Sequence, residues 1–101
     1  MLLDWTKKEN PEIRFILCEP FALPCGVITD KWYEVLTERR AIVKKIAEDY
    51  NTTFVPFQSM FDEALKKAPA DYWAPDGVHP SIAGHRLMAN AWLKALNYDH
   101  T

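Results

Sequence analysis

The chain has 101 residues, 49% of them hydrophobic and 13% aromatic, with a net charge of about -2 and a pI near 5.9. That length allows at most one small domain, and the composition is too apolar for a disordered chain. The weak acidic charge leaves no basic footprint for nucleic acid, and no run of about 18 apolar residues is present to span a membrane.

In chain order, Met1 to about Lys8 reads as the tail of a helix that carries Leu2, Leu3 and Trp5 and stops at Asn10-Pro11. A helix this short is not stable alone, so the chain is expected to start inside an element of a longer domain. Ile13 to Cys18 is an apolar run of strand length bounded by Pro11 and Glu19-Pro20, which suits a buried parallel strand. Phe21 to Thr29, with Pro24 and Gly26, reads as loop.

From about Asp30 to Tyr50 the helical period is clearest. Trp32, Val35, Leu36, Arg39, Ile42, Val43, Ile46, Ala47 and Tyr50 fall on one stripe. The charged run Glu38-Arg39-Arg40 with Lys44-Lys45 reads as a solvated face. Thr52 to Val55 is a short strand ending at Pro56. Phe57 to Lys67 is helical, with Phe57, Met60, Phe61, Ala64 and Leu65 as its apolar face. Residues 68–80 read as loop. Ser81 can cap a last helix whose stripe is Ala83, Leu87, Met88, Ala91 and Ala95.

Strand, crossover helix and strand form a right-handed parallel β-α-β unit, so the fold class is α/β. No repeat, low-complexity stretch or linker divides the chain. Two strands make a poor sheet alone, which again predicts a larger parent domain.

Chemistry concentrates in Asp76-Gly77-Val78-His79-Pro80, where a carboxylate and an imidazole share one tight loop. Gly77 lets the loop bend, and Pro80 stops the following helix from running back through His79. A carboxylate beside a histidine fixes one tautomer and stabilises the charged ring, which suits general-base work near neutral pH. Turn chemistry alone also accounts for Asp and Gly here.

The window Tyr72-Trp73-Ala74-Pro75-Asp76-Gly77-Val78-His79-Pro80-Ser81-Ile82-Ala83-Gly84-His85 resembles the C-terminal catalytic block of the SGNH/GDSL esterase and lipase family. Phe15 to Phe21 resembles the strand and loop that precede that block. The resemblance covers nearly all of this chain but only about the second half of the family's domain, so residues 1–101 are expected to be the C-terminal half of an SGNH hydrolase domain. It implies a partial flavodoxin-like three-layer α/β/α sandwich, and a serine esterase acting on an acetylated carbohydrate or a short acyl ester without metal or cofactor. His79 would be the general base and Asp76 its orienting partner. Trp73, Glu19 and Phe21 are candidates for substrate binding.

The family's Gly-Asp-Ser block, oxyanion-hole Gly and Gly-x-Asn-Asp block have no counterpart here. The only serines are Ser59 and Ser81. Ser81 reads as a helix cap, and Ser59 lacks the flanking glycines of a strained nucleophile turn. The chain alone is therefore expected to be inactive, and a non-catalytic interaction or structural remnant is the rival reading.

His79 and His85 are six apart and lack an obvious third ligand, so no metal site is expected. Cys18 and Cys25 read as free thiols without an activating cation. The implied partners are a small-molecule ester and either a second copy of this chain or the missing N-terminal half. The apolar Ile13–Cys18 run, with Arg14 as its one charge, would present an open edge for such pairing.

Overall fold

A computed structural model describes residues 2–96. Helix α1 is Leu2–Glu9, strand β1 Ile16–Cys18, helix α2 Asp30–Asp49, strand β2 Thr53–Val55, helix α3 Phe57–Ala64, helix α4 Ala70–Trp73 and helix α5 Ile82–Ala95. β1 and β2 pair in parallel with Ile16 opposite Thr53, Leu17 opposite Phe54 and Cys18 opposite Val55.

Both strands are shorter than the sequence predicts. Thr53–Val55 offers three residues before Pro56 ends the ladder, so Ile13 to Phe15 precede the paired segment. Helix α2 starts where Thr29 Oγ1 accepts the Trp32 N–H at 3.4 Å. It closes at Asn51, whose φ of 51° turns the chain toward β2.

The broad stripe expected on α2 divides. Leu36 and Ala47 are buried, whereas Trp32, Val35 and Ile42 remain 50%, 41% and 58% exposed. Arg40 leaves the expected solvated face and reaches inward to Glu19. The expected loop 68–80 contains a further helical turn, α4, with Pro69 as N-cap and Asp71 in its first turn.

The core lies where α3, α4 and α5 meet the loop after β1. Leu23, Phe61, Ala64, Trp73 and Ala74 are buried together, with Phe21, Met60, Leu87 and Met88 packed against them. Apolar positions at helical spacing on α3 and α5 supply most of this contact, and burying each such side chain contributes about 1.5–3 kcal/mol. Trp73 satisfies its indole N–H by donating to the Ala64 and Ala68 carbonyls, both at 3.2 Å. The same residue thereby fixes the start of the Asp76–His79 loop to the end of α3.

Candidate active site

The loop between α4 and α5 is closed at its base by Ser81. Its N–H donates to Trp73 O at 2.8 Å, and its hydroxyl donates to Tyr72 O at 2.7 Å. Ser81 Oγ also accepts the Gly84 N–H at 3.2 Å, which caps α5. Gly84 carries no Cβ because one would strike the Trp73 carbonyl and Pro80. The segment 74–80 is thus tied across its two ends, with Gly77 buried at its middle and His79 exposed.

Within it, Asp76 Oδ1 accepts the Val78 N–H at 2.9 Å and the His79 N–H at 2.7 Å. Those two bonds leave Oδ2 free to take the histidine ring, whose Nδ1 lies 2.6 Å away. The distance is that of a short charge-assisted hydrogen bond. Gly77 has a φ of +90°, a conformation that admits glycine with least strain and turns the chain between the two side chains. The His79 side chain is 84% exposed and that of Asp76 41% exposed, so the ring's far side opens to solvent.

The His79 ring, followed by the His79 and Val78 amides, holds the Asp76 carboxyl well below the usual carboxylate range, at about 2. Asp76 is therefore ionised at neutral pH. An ionised Oδ2 accepts a proton-bearing Nδ1, which leaves Nε2 as the ring's basic nitrogen when the ring is neutral.

A second loop, Pro20–Ile28, forms the bed of the first. Leu23 N–H donates to Gly77 O at 2.9 Å and Val27 N–H to Asp76 O at 3.1 Å. Cys25 Sγ lies 3.1 Å from Ala74 O. Burial, with the Asp71 and Asp76 charges adding, pushes the Cys25 thiol up, so it stays protonated and donates. Burial likewise raises Cys18, and both cysteines are free thiols.

Glu19, Phe21 and Trp73 sit behind these loops. Glu19 is 6% exposed; its Oε2 takes Arg40 Nε at 3.0 Å and its Oε1 takes the Gln58 N–H at 2.9 Å, at the first turn of α3. Phe21 stacks between Phe61, at a ring distance of 4.7 Å, and the edge of Phe57, at 6.2 Å. Trp73 is 9% exposed. His85 and Ser59 are exposed.

The structure adds one residue that the sequence reading passed over. Gln58 is 3% exposed, and its amide bonds to Ala22 through both ends. A glutamine early in a helix reads as a surface residue, and nothing local marks it as buried.

Among the described residues, no three His, Cys, Asp or Glu side chains gather into a metal-binding group, and no helix is long and apolar enough to cross a membrane. A groove of about 630 Å³ runs between α3 and α5 past Phe54, Met60 and Leu87, and none of its lining comes from the 72–80 loop.

A carboxylate-bound histidine with an open far nitrogen can take up and release a proton. Comparison with known proteins gives the family. Residues 1–87 match the GDSL-like lipase/acylhydrolase family model. The chain belongs to that family, whose fold is α/β and whose members are carboxylic ester hydrolases. It is 37% identical over 84 residues to an acetylxylan esterase from Geobacillus stearothermophilus, a match covering 83% of this chain and 38% of that protein. A solved GDSL-like lipase from Parabacteroides merdae superposes with a TM-score of 0.93 at 50% identity, over 97% of this chain and 46% of that one. The solved acetylxylan esterase Axe2 from G. stearothermophilus gives a TM-score of 0.81 at 33% identity, over 97% and 45%. The chain thus spans less than half the length of the relatives it matches.

Proposed function

We propose that residues 1–101 are the C-terminal half of an SGNH hydrolase domain and supply its general base, His79, and the base's orienting partner, Asp76. The single observation behind this reading is the 2.6 Å contact from His79 Nδ1 to Asp76 Oδ2, with the far nitrogen facing open solvent. The serine that attacks the ester carbonyl comes from the other half of the domain. His79 Nε2 accepts the serine proton as the C–O bond forms, then delivers it to the departing alcohol. In the second half-reaction His79 takes a proton from water, which attacks the acyl-enzyme, and returns it to the serine. Asp76 holds the ring in the competent tautomer and stabilises the imidazolium in both steps. Oxyanion donors also belong to the other half.

The substrate is a carboxylic ester, and an acetylated carbohydrate or a short acyl ester fits the relatives' described activity. Glu19, Phe21 and Trp73, proposed from the sequence as substrate contacts, would act from behind the loops, since Glu19 and Trp73 are buried and Phe21 is half-buried. On this reading the 101-residue chain alone does not hydrolyse esters.

The test joins this chain to the N-terminal portion of the acetylxylan esterase Axe2 and measures hydrolysis of an activated acetyl ester. The fused protein is expected to be active and to lose that activity on His79→Ala, while the unfused chain stays inactive. A folded fusion that is inactive, or indifferent to His79→Ala, would favour a non-catalytic remnant.

A further inference from the structure

We infer that Gln58 is a positioning residue for the Asp76–His79 pair, acting across the molecule through the segment Ala22–Val27. The inference rests on the proposed role of that pair and adds to it the element that holds the pair in place.

The hydrogen bonds inside this five-residue loop do not by themselves fix one conformation in water. Their net gain is offset by the conformational entropy lost in ordering each backbone residue of the loop. Something outside the loop must hold Asp76 and Gly77, and their carbonyls show what does. Gly77 O takes the Leu23 N–H at 2.9 Å and Asp76 O takes the Val27 N–H at 3.1 Å. The two loops also interlock by shape. A Cβ on Gly26 would collide with the Asp76 backbone, and one on Gly77 would meet Cys25 O at 2.6 Å and Leu23 O at 2.9 Å. The dyad's place is therefore the place of the segment 22–27.

That segment is loop and needs its own anchor. Gln58 Oε1 accepts the Ala22 N–H at 2.8 Å, and Gln58 Nε2 donates to Ala22 O at 3.1 Å, as a neighbouring strand would. The side chain cannot swing away easily. Its second amide proton goes to Asp62 Oδ1 at 3.0 Å, and its own backbone N–H is held by Glu19. A buried amide with both ends satisfied is costly to break, because each end left unpaired keeps its desolvation cost with no bond to offset it. Gln58 thus transfers the rigidity of α3 to Ala22, then through Leu23 and Val27 to the backbone of the two dyad residues. Tyr33 Oη adds a bond to Ala22 O at 3.2 Å from α2 but leaves the Ala22 N–H untouched.

The test uses the 101-residue chain with Gln58→Met, which keeps length and helical preference but removes both bonds to Ala22. Amide hydrogen exchange and the His79 ring resonances are read by NMR. The Leu23 and Val27 amides are expected to exchange at least tenfold faster while those of the β1–β2 ladder keep their rates. The Nδ1–H resonance of His79 is expected to broaden or vanish. Unchanged Leu23 and Val27 exchange would overturn the inference, as would an equal acceleration of every amide, since that is loss of stability alone. If the variant does not fold, the unmodified chain decides. The Gln58 side-chain amide and the Leu23 and Val27 amides should share one opening event, with protection factors within about threefold. Leu23 and Val27 opening tenfold more often than Gln58 would refute the latch. Absence of the Nδ1 proton signal in the unmodified chain counts against the proposed function, while the exchange data still judge Gln58.

Discussion

Gly26 and Asp76 touch backbone to backbone, although fifty residues separate them in sequence, because glycine at 26 leaves the space that the Asp76 carbonyl occupies. Gly26 has a φ of +62°, so both its conformation and its missing side chain serve this approach. Gly26→Ala should displace Asp76 and cost about 1–3 kcal/mol through strain at a positive φ. Chemical-shift mapping should place the largest changes at residues 74–79 as well as at the mutated loop. Changes confined to residues 24–28 would contradict the interlock.

Asp76 carries a defined pH signature. Its carboxyl titrates at about 2, below its ordinary 3.8, because the folded chain favours the ionised form. A folded-state value below the unfolded one adds stability above pH 3.8, and that contribution is lost as pH falls from there toward 2. Carbon-detected titration of the Asp76 carboxyl should give a midpoint near 2, and His79→Ala should move it upward. A wild-type midpoint at the ordinary aspartate value would refute the short contact.

In the fused, active protein, Asp76→Asn should lower kcat by about 10⁴-fold, the scale seen when a triad histidine is left in the wrong tautomer. His79→Ala should cost more, about 10⁶-fold if it equals loss of a triad member acting as a unit. Steady-state kinetics on the two variants checks both numbers. An Asp76→Asn variant with undiminished kcat would remove Asp76 from the mechanism.

Phe61 is fully buried at the centre of the core and touches Phe21, so Phe61→Ala should destabilise the chain by about 3–5 kcal/mol. Urea unfolding reads this directly. A loss under about 1 kcal/mol would mean that the core repacks around the gap.

The sheet predicts association. β1 pairs with β2, and no other strand is present among the described residues. Leu2, Trp5, Trp32 and Ile42 are at least half exposed. An uncovered strand edge recruits another strand, and these exposed apolar side chains on α1 and α2 add to the drive for association. Sedimentation at micromolar concentration should show a dimer or larger species, and a clean monomer would contradict it.

The parts of this molecule written in the sequence are those set by local physics. Asp76, Gly77 and Pro80 specify their loop through turn propensity, and the α3 and α5 faces follow from apolar spacing. Ser81 is legible as a cap because hydroxyl residues before a helical run satisfy its first amides. What was not legible depends on partners far along the chain. The nine-residue stripe on α2 is wider than a two-stranded sheet can cover, so Leu36 is buried and Trp32 is not. Arg40 sits within a charged run and still turns inward, because Glu19 waits at the end of β1. Gln58 finds Ala22 across 36 residues, a separation at which no pattern within one helix carries information. The turn α4 had a readable signal, Pro69 at the cap and Asp71 after it, too short to carry a helical period.

The central claim is that Asp76 holds His79 with its proton on Nδ1 and a basic Nε2 facing outward. Long-range ¹H–¹⁵N correlation of the His79 ring at a pH where it is neutral measures this directly. The expected spectrum has Nδ1 protonated and Nε2 bare in the unmodified chain, with that preference reduced in Asp76→Asn. A ring protonated on Nε2, or a tautomer mixture unchanged by Asp76→Asn, would contradict the account.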